Sequence, residues 1–316
     1  MSDSSAAGGP AAASPPPVSL ATATVLLAFV VLLWGVNWPV MKVALGSIPP
    51  LTFTAFRLVL ALVVMTAAAA LVGRLRVPDR RDLPIILSTG LLAMAANMVL
   101  TIVALQFVAA GRAAVLIYTN PLWVAPLAAI FLGERLTPVR VLGLVLGIGG
   151  IVVLFNPLGF DWGDPDVVLG NVLLLAAAAG WAVQIVHVRG HTWRGSPLDL
   201  YPWQLAVAAV VAVPLALAFE TGRPIDWAFP LPVLMAYTAL LATAFCFLAV
   251  IQVNRALPAT TTSLVLLAVP VVGVLSSALI LGEPLEAATI GGLVLIVAGV
   301  AAVALGERGP TSPEVG

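Results

Sequence analysis

Polar residues interrupt this chain so rarely that long apolar runs, not alternation within them, mark out its elements. Ten runs can be drawn, at about 20–43, 50–72, 82–108, 111–132, 138–155, 167–189, 198–219, 230–254, 257–281 and 287–305. Each is long enough to cross ~30 Å of hydrocarbon as a helix, which takes roughly 20 residues. The runs are continuous and lack a period of two, which argues against strands. The pattern predicts an all-α integral membrane protein with ten transmembrane helices.

The runs also repeat. At one constant offset Pro121 falls on Pro270, Gly133-Glu134 on Gly282-Glu283, Gly143 on Gly292 and Gly150 on Gly299, and Thr89–Ala95 matches Thr238–Ala244. With a two-residue adjustment in a loop, Trp34 lands on Trp181, Asn37 on Gln184 and Lys42 on Arg189. Five helices per copy is an odd number, so the second copy must enter the membrane from the opposite side. The expected architecture is a five-plus-five inverted repeat at 20–156 and 167–305, with short cytoplasmic tails at 1–19 (disordered) and 306–316. Such a repeat marks a secondary transporter whose substrate site lies between its halves.

Charge then sets the orientation. With the N-terminus in the cytoplasm, Arg74, Arg76, Arg80, Arg81, Arg135, Arg140, Arg189, Arg194, Arg255 and Arg308 lie inside, while only Lys42, Arg112 and Arg223 lie outside. The positive-inside rule therefore places both termini in the cytoplasm. Residues 1–19 are Ala, Ser, Pro and Gly without a basic segment, and read as a tail and not a signal peptide. The lone Cys246 can form no disulfide within the chain. No P-loop, His/Cys metal cluster, catalytic elbow or basic patch occurs, and net charge is zero. That argues against an enzyme, a cofactor, a nucleic-acid partner or ATP drive. The expected partners are the lipid bilayer and a small-molecule substrate, with a monomer favoured over a homodimer.

The segment Pro121–Glu134 with its Gly-rich sequel 143–150, the second copy Pro270–Glu283 with Gly291, Gly292 and Gly299, and the pairs Trp34-Gly35 and Gly180-Trp181 resemble the ten-helix EamA branch of the drug/metabolite transporter superfamily. The resemblance covers nearly the whole chain between its tails. It implies alternating access and the export of small metabolites or amino acids. Within the branch the chain is similar to bacterial exporters of aromatic amino acids. An exporter of hydrophobic cations is the alternative, and a membrane enzyme or structural subunit is the disfavoured reading of another class.

A substrate site must be built from groups that hydrocarbon rejects. Trp34, Asn37, Trp38 and Met41 share a face of the first helix by i, i+3, i+4, i+7 spacing, and Trp181 and Gln184 are their counterparts on the sixth. Asn97, Tyr118, Asn120, Tyr237 and Thr243 are further candidates, against a plain role in interhelical bonding. Arg57 lies about 10 Å into the second helix, where it either snorkels outward or meets a substrate carboxylate. Tyr201, Trp203, Trp227 and Trp162 read as interfacial belt. Pro39, Pro121 and Pro270 each free a carbonyl four residues earlier and are candidate hinges facing protein or a wet cavity. Glu134 and Glu283 read as turn and cap residues for the helix that follows, against a proton-coupling role. The glycines at 143, 147, 150, 291, 292 and 299 read as an internal packing seam, against a dimer face.

Overall fold

The computed structural model describes residues 18–155, 163–257, 262 and 265–306, all of them in helices or the turns between. Residues 1–17 and 307–316, residues 156–162 with Trp162, and residues 258–261 and 263–264 lie outside the described residues. Ten membrane helices follow in order: α1 (Leu20–Ala44), α2 (Pro50–Leu71), α3 (Leu83–Ser88, Thr89–Ala96 and Asn97–Ala104, joined end to end), α4 (Ala110–Ile117 and Asn120–Leu132), α5 (Pro138–Phe155), α6 (Pro165–Gly190), α7 (Pro197–Glu220), α8 (Leu231–Ala236, Tyr237–Phe245 and Cys246–Ala256), α9 (Ala268–Leu281) and α10 (Ala287–Gly306). Eight are long and apolar enough to span alone, while Pro138–Leu154 and Ala268–Leu281 are shorter apolar helices.

Local chemistry sets the boundaries. Prolines open α2, α5, α6 and α7, where their fixed φ suits a first turn and the missing N–H costs nothing. Ser19 caps α1 through the Thr22 N–H. Ser196 and Asp199 form a capping box at α7. Gly133 and Gly282 end α4 and α9 at φ 68°, a left-handed conformation that a side chain resists.

The repeat extends to irregularities that composition does not announce. Thr89–Ala96 in α3 and Tyr237–Phe245 in α8 are both π-helical, and both start at the equivalent threonine-bearing stretch. α4 breaks at Tyr118-Thr119, and Leu267, the residue equivalent to Tyr118, is the cap just before α9. Pro121 and Pro270 thus stand near a helix start and not in the middle of a bent one. Pro39 lies inside a continuous α1, and the carbonyl of Gly35 that it frees accepts the Ser276 hydroxyl at 3.4 Å.

Every major contact crosses between the halves. α1 packs on α9 as α6 packs on α4; α8 packs on α1 and α2 as α3 packs on α6 and α7; α2 pairs with α7 and α5 with α10. The glycine seam is internal. A Cβ on Gly143 would lie 2.6 Å from Gly299 O, and one on Gly150 would lie 2.9 Å from Gly292 O, so these backbones touch. Large apolar side chains such as Ile130, Phe131, Val210 and Leu279 point outward, as suits a lipid solvent.

Candidate functional site

At the middle of the bundle the helices leave a cavity of about 340 Å³, within the range of small-molecule sites. Trp34, Asn37, Trp38 and Met41 of α1 line it, with Arg57 of α2, Asn97 of α3, Tyr118 of α4, Trp181 and Gln184 of α6, and Thr243 of α8. Both halves contribute, and the α1 face predicted from spacing is the face presented.

Arg57 is the unusual member. It is only 9% exposed, so it does not snorkel. Its Nε donates to Thr243 Oγ1 at 2.9 Å, and Nη1 approaches the Met41 sulfur at 3.2 Å, a weak acceptor. No ion pair among the described residues involves it. Thr243 is held in turn: its hydroxyl donates to Thr238 O at 2.8 Å, a carbonyl in the π turn of α8. A buried membrane cation without a carboxylate costs about 3 kcal/mol or more, and marks function by default.

The other polar groups divide into committed and free. Gln184 Nε2 donates to Thr89 Oγ1 at 2.9 Å. Asn97 Nδ2 reaches Ala177 O at 3.4 Å. The Trp34 indole N–H donates to Ala242 O at 2.7 Å, leaving only its ring face for a ligand. Asn37 Oδ1 and Thr101 Oγ1 are buried without partners.

Three expectations need correction. Asn120 is buried away from the cavity. Tyr237 also lies off it; its hydroxyl donates to Leu33 O at 2.7 Å and ties α8 to α1. Tyr201 is no belt residue: it is 3% exposed, lines the cavity, and stacks on Phe247 with ring centroids 3.4 Å apart. The signal for it was in the repeat, since Tyr201 is the counterpart of Thr54, which also lines the cavity. Trp203 instead bonds Arg76 O at 2.9 Å, and Trp227 is half exposed against Phe56.

At the rims the acids cap helices other than their own. Glu283 accepts the N–H groups of Ala110 (2.7 Å) and Gly111 (2.9 Å), so the second half caps α4 of the first. Glu134, at the opposite face, pairs with Arg140 (3.2 Å) and with Arg189 of α6 (2.5 Å). Each repeated Gly-Glu carboxylate thus reaches the other half; Glu283 caps α4 and not the helix that follows it, while Glu134 makes ion pairs with Arg189 and with Arg140 in the first turn of its own following helix. Glu220 likewise takes the Leu51 and Thr52 N–H groups at the start of α2. Lys42 is not a free snorkel: its ammonium donates to Leu105 O and Val108 O.

The EamA-like transporter family matches residues 21–156 and again 168–305. The chain belongs to that family. A relative from Escherichia coli K12 named "Probable amino-acid metabolite efflux pump" is 30% identical, over 92% of this chain and 98% of its own. An uncharacterized transporter of Bacillus subtilis is 27% identical over 92% and 94%. One solved crystal structure superposes with a TM-score of 0.62 at 26% identity, covering 91% of this chain and 99% of that one. As an EamA-type chain this is a multi-pass membrane transporter and not an enzyme. The cavity of this EamA chain lies where its two copies meet.

Proposed function

We propose that the protein exports small amphiphilic metabolites by alternating access, with aromatic or other neutral amino acids as the substrate class. The observation that carries this reading is Arg57, a buried cation without a carboxylate, set in a cavity lined by Trp34, Trp38, Tyr118, Trp181 and Tyr201. A substrate carboxylate supplies the missing charge, and the ring faces receive an aromatic side chain. The names of amino-acid exporters among the relatives support the class. An exporter of hydrophobic cations would set a second positive charge beside Arg57, which disfavours it. Among the described residues no acid lines the cavity, so the reading is of efflux down a gradient without proton coupling at its centre. The distribution of basic residues supports a reading in which the face bearing the α2–α3 and α4–α5 connections lies in the cytoplasm of a bacterial inner membrane.

The test is counterflow in proteoliposomes with a panel of labelled amino acids, with and without a pH gradient. Phenylalanine or another neutral amino acid should exchange, and Arg57→Gln should abolish the exchange at normal protein abundance. Exchange that survives Arg57→Gln, or a panel in which no amino acid moves, overturns the reading.

A further inference from the structure

Two residues that line the central cavity each carry a buried oxygen with no hydrogen-bond partner: Asn37 Oδ1 and Thr101 Oγ1. Buried polar atoms are nearly always paired, so two orphans on residues of one cavity wall call for a donor. The repeat shows how Asn37 comes to be free. Its counterpart Gln184 donates to Thr89 Oγ1 at the start of the α3 π turn. The threonine equivalent to Thr89 is Thr238, at the matching place in α8. Asparagine is one methylene shorter than glutamine, and the Thr238 hydroxyl gives its proton to Met235 O at 3.1 Å, so it has none to offer Asn37 Oδ1. One amide of the symmetry-related pair is thus committed, and the other is held 7% exposed at the cavity wall, beside the space that Arg57 faces.

We propose that Asn37 Oδ1, helped by Thr101 Oγ1, receives the ammonium group of a zwitterionic substrate whose carboxylate meets Arg57. This rests on the amino-acid reading above and gives the site its second pole. An ammonium carries three donors and no acceptor, so it needs oxygens. Neutral oxygens suit this cavity better than a carboxylate would, because an acid at position 37 would pair with Arg57 and displace the substrate anion. The Trp34 and Trp38 rings complete the shell by cation–π contact. The site then selects for both charges of the substrate together.

The test uses the full chain in nanodiscs, with binding followed by intrinsic tryptophan fluorescence. The probes are L-phenylalanine, 3-phenylpropanoate (no ammonium) and phenethylamine (no carboxylate). The wild type should bind phenylalanine about tenfold or more tightly than either analogue, the scale of one lost hydrogen bond to a charged group. Asn37→Leu should bring 3-phenylpropanoate to within about twofold of phenylalanine, while phenethylamine stays excluded by Arg57. Thr101→Val, nearly isosteric, should weaken the preference for phenylalanine by about threefold and guards against misfolding of the first variant. Equal wild-type binding of phenylalanine and 3-phenylpropanoate, or a preference that survives both substitutions, overturns the ammonium pole and leaves the carboxylate reading standing. Binding of none of the three probes overturns both.

Discussion

Arg57 stays oriented because Thr243 accepts its Nε proton, and Thr243 can do so because its own proton goes to a π-turn carbonyl. Thr243→Val keeps the side chain's shape and removes both bonds. Transport should lose affinity about five- to tenfold at normal abundance, on the order of one hydrogen bond to a charged group. An unchanged half-saturation concentration in a flux assay would show that Arg57 is positioned by something else. At this scale the sequence was informative wherever helical spacing decides which residues share a face, as for Trp34, Asn37 and Trp38. It was silent where a neighbouring helix decides. Tyr237 and Asn120 have the same chemistry as the lining residues, but their helices turn them elsewhere. Tyr201 looked interfacial because it lies near the start of a helix, and packing against neighbouring helices, Phe247 included, buries it.

Between elements, the repeated carboxylates are structural ties that cross from one half to the other. Glu283→Gln weakens the charge on the cap of α4 and should lower stability by about 1 kcal/mol, read as thermal midpoint in detergent. The pH dependence of transport should not change. A variant that folds normally and loses a proton-dependent component would make this carboxylate part of the transport cycle. The seam offers a second check. Gly143→Ala drives its new methyl group into Gly299 O and the Val303 backbone nitrogen at 2.6 and 2.7 Å, whereas Gly149 has nothing within 4 Å. Gly143→Ala should cost about 1–3 kcal/mol, the usual scale of overpacking, and Gly149→Ala should cost far less. Equal melting points would place the tight contact elsewhere. Helix starts were legible from proline, and helix ends from glycine. The π turns were not, since the apolar runs pass through them with little change of residue type; the break at Tyr118-Thr119 was signalled by Thr119-Asn120-Pro121 but read as a kink and not as an interruption.

For the whole molecule, ten apolar runs and an odd-numbered repeat were enough to give the inverted architecture, because lipid leaves so few ways to satisfy a backbone. Sidedness is checked directly. Cysteines at Arg76 and Arg223, both exposed in loops on opposite faces, should label with an impermeant reagent from opposite sides of the membrane, Arg223→Cys from the periplasm. Labelling of both from one side would refute the ten-span order. The seam between α5 and α10 says something further about how the molecule is joined. Gly143 meets Gly299 while Gly292 meets Gly150; Gly143 meets Val303 while Gly292 meets Leu154; Gly150 meets Ile296 while Gly299 meets Gly147. Each contact appears twice with the copies exchanged, the reciprocal pattern of two identical subunits about a twofold axis. The seam thus has the form of an interface between two five-helix units. If the seam alone orients the copies, a covalent tether between them is dispensable. Residues 1–158 and 159–316, expressed as separate chains, should find each other in the membrane, co-purify and recover transport; fragments that fail to associate would mean the tether does more than hold the two together.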